Sequence, residues 1–376
     1  MKKIDKERLI LAVAAPVLAV AFAMLLSSAI LLASGRNPVE PYALMVDYAV
    51  VNPDVQVLIV NRTTTYYLAA LAVAVGFRMN LFNIGVDGQY RLAAMLSAAV
   101  GTAVPLPGAL RMVVIVVTAM LVGAAWAGIA GILKTTRGVS EVVSTIMLNA
   151  IATSLIAYLL QPSLLGKRLE GSNDLTTGEL PESAWLPGIP TSAPGSEIYG
   201  FIVVAVLLGI GYWFLLNRTR FGFDLRAAGA SESAAAASGV NGRRMVLTSI
   251  LLSGALAGLT GMPLLLGEAH EYNLAFPAGV GFTGITIALL GRNNPVGMAV
   301  GALLLAFLKV TSQTLDSNGY VKEIAEIMEG LIVIAVVVAY ETVRRWGLRR
   351  QQQRVGEELA RTHQASQDKV KKEVPV

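Results

Sequence analysis

The chain has no cysteine and only two histidines among its 376 residues, and only 15% of its residues are charged. The absence of cysteine excludes disulfide bonds, thiolate metal ligands and a cysteine nucleophile. The two histidines, His270 and His363, do not form a paired ligand spacing such as H-E-x-x-H. The sequence therefore predicts that the chain binds no metal ion.

Several catalytic and transport motifs are also missing. The chain contains neither the G-x-S-x-G motif of serine hydrolases nor the G-x-x-x-x-G-K-[ST] loop that binds nucleotide phosphates. We therefore expect it not to be an enzyme and not to hydrolyse ATP itself. The apolar segments 9–33, 111–133, 199–216 and 245–266 have no Asp or Glu in their interiors. Because buried carboxylates often relay protons in ion-driven transport, an ion-coupled transporter of small polar solutes is the weaker alternative.

Long hydrophobic blocks dominate what is present, since 55% of the residues are hydrophobic. A helix needs about 20 apolar residues to cross a bilayer, and the segment 9–33 is interrupted only by Pro16, Ser27 and Ser28. These blocks predict an all-α polytopic membrane protein. The first block follows Lys2, Lys3, Lys6 and Arg8 and resembles a signal peptide, but its length and the lack of a clear cleavage site favour a retained anchor.

The spacing of the apolar blocks predicts about ten transmembrane helices, at 9–33, 56–77, 84–104, 111–133, 142–160, 199–216, 245–266, 280–291, 296–314 and 323–343. Basic residues in short loops indicate the cytoplasmic side. With the N-terminus inside, the inner segments contain Arg78, Arg91, Lys134, Arg137, Arg218, Arg220, Arg226, Arg243, Arg244, Arg292 and the tail from Arg344. The outer segments contain fewer: Arg36, Arg62, Arg111, Lys167, Arg168, Lys309 and Lys322. Both termini are therefore predicted to be cytoplasmic.

This pattern divides the chain into a transmembrane permease domain at 1–343 and a basic, partly disordered cytoplasmic tail at 344–376. Two loops stand out within the domain. The external loop 161–198 is rich in proline and contains five acidic residues against two basic ones. It is either a solvated connector or a docking surface for an external partner. The second is the cytoplasmic loop 217–244.

A polar interruption separates the second and third predicted helices at 77–91. It places Asn83, Asp87 and Gln89 in an otherwise apolar region, with Gly85 and Gly88 between them. Amides and carboxylates near a membrane helix are costly unless they face protein, water or a solute. The interruption therefore predicts part of a solute path. The alternative is a cytoplasmic turn that only satisfies the helix ends.

A second irregularity occurs at 276–295, where the apolar stretch between Gly284 and Gly291 is too short to cross a membrane alone. Short or interrupted segments in both halves of a transporter indicate a central binding site formed by broken helices. Thr283 and Thr286 offer hydroxyl groups there. Phe82 and Phe282 offer ring faces on which a base could stack.

The cytoplasmic loop contains the alanine-rich segment 232–238. Ser231 is a good N-cap, Glu232 suits the first turn and Gly239 suits the C-terminal stop, which predicts a helix of about two turns. Such a short helix is marginal in water. We therefore expect it to lie in a groove of another protein, with Ala235 in the contact.

Three segments carry a family resemblance. Residues 221–235 (FGFDLRAAGASESAA) resemble the ATPase-contacting loop of ABC permeases for branched-chain amino acids, ribose and nucleosides. Residues 83–89 (NIGVDGQ) resemble the N-I-G-x-E-G-Q signature of the nucleoside and simple-sugar branch, with Asp87 in place of the usual Glu. Residues 141–149 (EVVSTIMLN) resemble that branch's motif after the fourth span.

The resemblance implies a type II-like ABC importer permease with two pseudo-repeated halves, taking up nucleosides or a simple sugar. It implies a second permease subunit in a heterodimer, a solute-binding protein or lipoprotein outside, and a cytoplasmic ATPase, often with tandem domains, that holds ATP and Mg²⁺. The chain itself would bind no cofactor and would lie in a bacterial plasma membrane. The resemblance adds Asn149 to the solute path and Arg226, Gly229 and Ala230 to the coupling segment.

Overall fold

The computed structural model describes residues 6–33, 35–168 and 174–320, and the positions 326, 327, 330, 331, 334, 335, 338 and 342. The chain divides into two compact units, one formed by 1–38 with 327–376 and the other by 39–326. The first unit contains helix α1 (Lys6–Ala33). The predicted tail 344–376 lies outside the described residues.

The second unit is mainly helical. Its longer helices are α2 (Glu40–Val51), α3 (Pro53–Phe77), α4 (Val86–Ala103), α5 (Gly108–Arg137), α6 (Glu141–Leu159) and α7 (Phe201–Arg218). They are followed by α8 (Arg220–Ala230), α9 (Glu232–Ala237), α10 (Gly242–Leu259), α11 (Met262–Leu264) with a π-helical turn at Leu265–Ala269, α12 (Val280–Leu290), α13 (Pro295–Thr311) and α14 (Gln313–Ser317). The helical fold class is thus confirmed.

The predicted apolar segments correspond closely to helices, and the chain is a multi-pass membrane protein. Six helices in the described part of the chain are long and apolar enough to cross a membrane, and 20–33 and α12 form shorter apolar helices. The predicted helix 323–343 lies largely outside the described residues. Sequence reasoning missed α2 and α8. Ten spans therefore stay a prediction.

Helix α3 lies at the centre of the second unit. Every residue from 68 to 74 is fully buried, which agrees with the apolar character of this stretch on all sides. The helix packs against α10, α12 and α13. Helix α3 therefore lies beside both irregular segments predicted from the sequence, 77–91 at its own end and 276–295 around α12.

Helices α5 and α10 cross at small residues, as close packing between membrane helices requires. A Cβ atom at Gly123 would lie 2.2 Å from the carbonyl oxygen of Gly254, and one at Gly258 would lie 2.0 Å from that of Ala119. Larger side chains at these positions would force the helices apart. The glycine and alanine spacing in these two segments is thus explained by direct helix contact.

Most of the bases counted in the topology prediction lie within helices, many of them near helix ends. Arg62 belongs to α3, Arg91 to the second turn of α4 and Arg111 to the start of α5. A position in a helix does not decide the side of the membrane, so the assignment of these bases to the inner or the outer side stays a prediction.

The external loop forms a cap of short elements: β1 (Lys167–Arg168), β2 (Leu175–Thr176), a 3₁₀ turn (Glu182–Ala184), β3 (Ile189–Pro190) and β4 (Glu197–Ile198). Strand β1 pairs with β2, and β3 pairs with β4, both antiparallel. Leu180 and Ala184 are buried, so the cap packs on the rest of its unit. The described part of this loop is thus folded, and its role as a connector or as a docking surface stays a prediction.

Candidate functional site

The first interruption joins the end of α3 to the start of α4 and is held by a pair of amides. The Asn83 Nδ2 donates to the Gln89 Oε1 at 2.9 Å, and the Gln89 Nε2 donates to the Asn83 Oδ1 at 2.9 Å. The Asn83 Oδ1 also accepts from the backbone N–H of Gly85 at 3.0 Å. These bonds fold the segment before α4 back onto the first turn of that helix.

A serine on α10 completes the hydrogen bonding of Asn83. The Asn83 Nδ2 donates to the Ser253 Oγ at 2.9 Å, and that hydroxyl donates to the carbonyl oxygen of Ala72 at 2.6 Å. Both donors and the acceptor of the Asn83 amide are therefore used within the chain. Asn83 and Gln89 are 2% and 0% exposed, so in this conformation they hold the interruption in place.

Helix α6 binds the same segment through a third amide. The Asn149 Oδ1 accepts from the N–H of Gly88 at 2.8 Å, while its Nδ2 donates to the carbonyl oxygen of Ile84 at 2.8 Å. The Thr145 hydroxyl accepts from the N–H of Ile84 at 3.3 Å. Asn149 thus satisfies backbone groups that the irregular segment leaves without a helical partner.

Sequence reasoning missed a salt bridge between the end of α5 and the start of α6. The Lys134 Nζ lies 2.5 Å from the Glu141 Oε2, and the other carboxylate oxygen of Glu141 accepts from the N–H of Phe82 at 3.4 Å. Glu141 is 7% exposed. The signal available was a lysine and a glutamate that flank a short helix-to-helix turn.

Asp87 lies where the first turns of α4 and α12 meet. The N–H of Gly281 donates to the Asp87 Oδ1 at 3.3 Å, and the amides of Gly279 and Val280 also interact with the carboxylate. A Cβ atom at Gly281 would lie 2.5 Å from the Asp87 nitrogen. A carboxylate at a helix N-terminus is favourable because it interacts with unpaired N–H groups. Asp87 therefore joins the two predicted broken elements.

The aromatic and hydroxyl residues predicted for the path lie in two environments. Phe82 and Phe282 are 47% and 54% exposed. Thr283 and Thr286 are buried, and their hydroxyls donate to carbonyl oxygens one turn earlier in the same region, those of Gly279 at 3.4 Å and Phe282 at 3.3 Å. Of these four residues, the two phenylalanines are therefore the exposed ones. A solute contact by any of these residues stays a prediction.

The segment 270–279, which overlaps the start of the predicted irregularity at 276–295, leads from the π-helical turn into α12 and is called the second interruption. The external cap holds it through backbone bonds from Leu180 N–H to the His270 oxygen at 2.7 Å and from Thr177 N–H to the Tyr272 oxygen at 3.0 Å. The Trp185 and His270 rings stack in parallel with centroids 3.8 Å apart. The cap therefore fixes the start of the second interruption.

The cytoplasmic loop contains the predicted short helix, α9. Its N-cap is Ser231, whose hydroxyl accepts from the N–H of Ala234 at 3.3 Å. Gly239 has a φ of +83° and ends the helix, with the N–H of Val240 donating to the Ala235 oxygen at 3.0 Å. The predicted cap and the predicted glycine stop are both confirmed.

The expected orientation of α9 was wrong. Ala235 is 4% exposed and packs against its own chain, so it cannot occupy a groove of another protein in this conformation. Ser233, Ala234, Ala236 and Ala237 are exposed instead. Among the described side chains of α9, these four are open to a partner. The described structure does not include the side chain of Glu232.

The other predicted coupling residues lie on α8, the helix that precedes α9. Ala230 is exposed, whereas Arg226 and Gly229 are half-buried. The Arg226 Nη1 is buried and has no hydrogen-bond partner among the described residues. Gly229 touches the backbone of the turn after α3, where a Cβ atom would lie 2.5 Å from the Arg78 oxygen. Part of this segment therefore faces inward.

Comparison with known proteins gives one consistent result. The family described as "Branched-chain amino acid transport system / permease component" matches residues 56–337. The guanosine ABC transporter permease protein NupP of Bacillus subtilis is 37% identical over 75% of this chain and 80% of its own length. The glucose ABC transporter permease protein TsgB13 of Haloferax volcanii is 30% identical over 88% of each chain. The B. subtilis guanosine permease protein NupQ is 25% identical over 68% of this chain and 82% of its own.

Proposed function

The chain belongs to the family of branched-chain amino acid transport system permease components, and we propose that it forms one half of the solute path of an importer for nucleosides. As a member of this family it is a transport subunit of an ABC transporter and not an enzyme. The observation that carries the proposal is the ordered polar interruption at 78–89, which meets α12 at Asp87. Broken helices that meet inside a transporter are where solute sites form.

Two features favour a nucleoside over a simple sugar. The guanosine permease NupP is more similar to this chain than the glucose permease TsgB13 is, at 37% against 30% identity. The exposed rings of Phe82 and Phe282 suit a solute with a flat base, since aromatic stacking supplies affinity without requiring a fixed hydrogen-bond pattern. Asn83, Gln89 and Asn149, in the 83–89 and 141–149 segments, would shape the path indirectly by holding the 83–89 segment in position.

The proposed assembly contains a second, different permease. NupP and NupQ are both guanosine permease proteins of one organism, and both are similar to this chain. A heterodimer would cover the exposed face that α6 presents at Val143, Ile146, Met147 and Ile151. A cytoplasmic ATPase with ATP and Mg²⁺ would contact the exposed side of α9. A solute-binding protein would dock on the cap. The permease pair would lie in the plasma membrane of a bacterium.

The proposed topology has ten spans in two pseudo-repeated halves, with both termini in the cytoplasm. It is supported by the basic residues around α8 and α9 and by the folded cap on the other side of α7. Because the chain has no cysteine, a single cysteine reports its own position. A cysteine at Ser183 in the cap and one at Ser233 on α9 should be labelled from opposite sides of the membrane. Labelling of both from outside would contradict the topology.

Uptake of labelled guanosine by cells that produce the complete complex tests the solute. We expect an excess of unlabelled nucleosides to compete and an equal excess of ribose or glucose not to compete. Cells that produce the complex without its ATPase are the control and should not accumulate label. Competition by free sugar alone would replace the nucleoside proposal with a sugar importer.

A further inference from the structure

The turn after α3, residues 78–80, is where the cytoplasmic helix α8 meets the body of the permease. The Asn80 Nδ2 donates to the carbonyl oxygen of Gly229 at 2.6 Å. Gly229 packs so closely that a Cβ atom there would lie 2.5 Å from the Arg78 oxygen and 2.8 Å from the Met79 Cα. A glycine is required at this position because only backbone fits against backbone.

The backbone of the turn enters the left-handed region at one residue. Asn80 has a φ of +55°, which asparagine adopts more readily than other non-glycine residues but still at a cost. The contact with Gly229 helps to hold this conformation, since it occupies the Asn80 amide. Leu81, Phe82 and Asn83 follow directly, so the turn leads into the polar interruption in front of α4.

The same turn is bonded to the one between α12 and α13. The Arg78 Nη2 donates to the carbonyl oxygen of Asn293 at 2.7 Å, and the Tyr212 hydroxyl donates to that oxygen at 3.0 Å. Arg292 and Asn293 both have a φ of +54°. Two strained turns, one at the inner end of each interrupted element, are therefore joined through Arg78.

This junction is only partly hydrogen-bonded. The Arg78 Nε and the Asn293 Oδ1 are both buried, and neither has a partner among the described residues. A buried donor and a buried acceptor left unpaired are costly, which is why such groups are rare in native structures. An unpaired donor on one side and an unpaired acceptor on the other suit a junction that has a second arrangement.

We infer that the 78–80 turn transmits movement of α8 to both interrupted elements, with Asn80 and Gly229 as the positioning residues on one side and Arg78 and Asn293 on the other. This inference rests on the proposed function, because it assumes that a partner ATPase moves α8 and α9. When α8 shifts, the Asn80 bond pulls the turn, and the turn displaces the 83–89 segment and the 291–294 turn together. Both sides of the path then change in one step.

The experiment follows the 291–294 turn during the ATPase cycle. A cysteine at the exposed Arg292 is the only thiol in the chain, and its rate of maleimide labelling is measured in the purified complex with and without ATP, Mg²⁺ and vanadate. We expect nucleotide to change the labelling rate. Asn80→Ala and Gly229→Ala should each reduce that change about fivefold or more, the lower range for coupling between sites, while ATP hydrolysis continues.

Two matched variants serve as controls. Asn318→Ala removes an exposed amide that bonds within its own turn, to the Thr314 oxygen at 2.8 Å, and Gly211→Ala adds a methyl group where no atom lies within 4 Å. Both should keep the full nucleotide response. If Asn80→Ala and Gly229→Ala also keep it, or if wild type shows no response, the inference is wrong. Because the readout requires no solute, a wrong solute assignment would appear only in the uptake experiment.

Discussion

The two interrupted segments of the permease are held in different ways. The first, in front of α4, is fixed by side chains from inside the helical body, with Asn83, Gln89 and Asn149 as the main contacts. The second, in front of α12, is fixed by backbone bonds and a ring stack to the external cap, through Leu180 and Trp185. The first is thus part of the core, whereas the second depends on a surface structure.

Because they are held differently, the two segments should respond to different movements of the molecule. Amides buried among helices stay paired only if the helices stay packed, so the first segment should respond to events that move whole helices. In the proposed topology the cap lies outside the membrane, where a partner can contact it. A partner that shifts the cap would move the 270–279 segment and, through Gly281, the contact with Asp87. The two segments would therefore receive signals from opposite sides of the membrane.

The largest effect is expected from Asn83→Leu, which breaks the first segment. It leaves the Gln89 amide, the Gly85 N–H and the Ser253 hydroxyl without their Asn83 partner. Each buried group without a partner costs about 1–3 kcal/mol, so the variant should lose stability and complex assembly as well as uptake. The loss of stability is measured by heating the purified permease and monitoring the folded fraction by fluorescence-detected size-exclusion chromatography.

A double variant refines this prediction. Adding Gln89→Leu removes the second amide, and replacing both partners by apolar groups is often less harmful than removing one. Asn83→Leu with Gln89→Leu should therefore be more stable than the sum of the single losses implies. Asn318→Leu, at an exposed turn, is the matched control and should be close to wild type. Normal stability of Asn83→Leu would show that the amide pair does not hold this segment.

Sequence reasoning located the helices well because apolar length is a direct requirement of the bilayer. It missed α2 and α8 for the opposite reason. Helix α2 contains Glu40, Pro41 and Asp47, and α8 contains Arg220, Asp224 and two glycines, so neither reads as an apolar block. Helices that lie along an interface or outside the membrane do not need that composition.

The candidate site was predictable in its residues but not in its contacts. Asn83, Asp87 and Gln89 stand out because polar side chains are rare in apolar surroundings. The hydrogen bond to Ser253 spans 170 positions, and no local pattern indicates such a partner. Ala235 was placed on the wrong face because a helix with four alanines has no contrast between polar and apolar sides.

The smallest expected effect concerns pH and the second segment. Burial lowers the pKa of His270 below its usual value near 6.5, while the nearby Glu179 carboxylate acts against this shift. The folded cap therefore favours the neutral ring, which stacks on Trp185 with the ring planes 8° from parallel. Because its pKa is lower in the folded cap, the His270 ring binds more protons when the cap is released.

The sign of the pH effect follows from this difference. The contribution of the neutral His270 to cap stability is complete above about pH 6.5. It decreases as the pH falls from there towards the lower pKa of the folded state, because the released ring takes up a proton that the packed ring resists. Mild acid should therefore loosen the cap, whereas the Asn83, Gln89 and Asn149 amides that hold the first segment do not titrate.

Limited proteolysis within 174–198 at pH 8 and at pH 5.5, with a protease whose activity is calibrated at both values, measures this loosening. We expect faster cleavage of the cap at the lower pH in wild type. His270→Phe keeps an aromatic ring on Trp185 but cannot take up a proton, so its cleavage rate should be nearly the same at both values. Trp185→Ala removes the stack and should be cleaved faster than wild type at both. If His270→Phe keeps the full pH dependence of wild type, another group controls the cap, and the second segment has no acid response of its own.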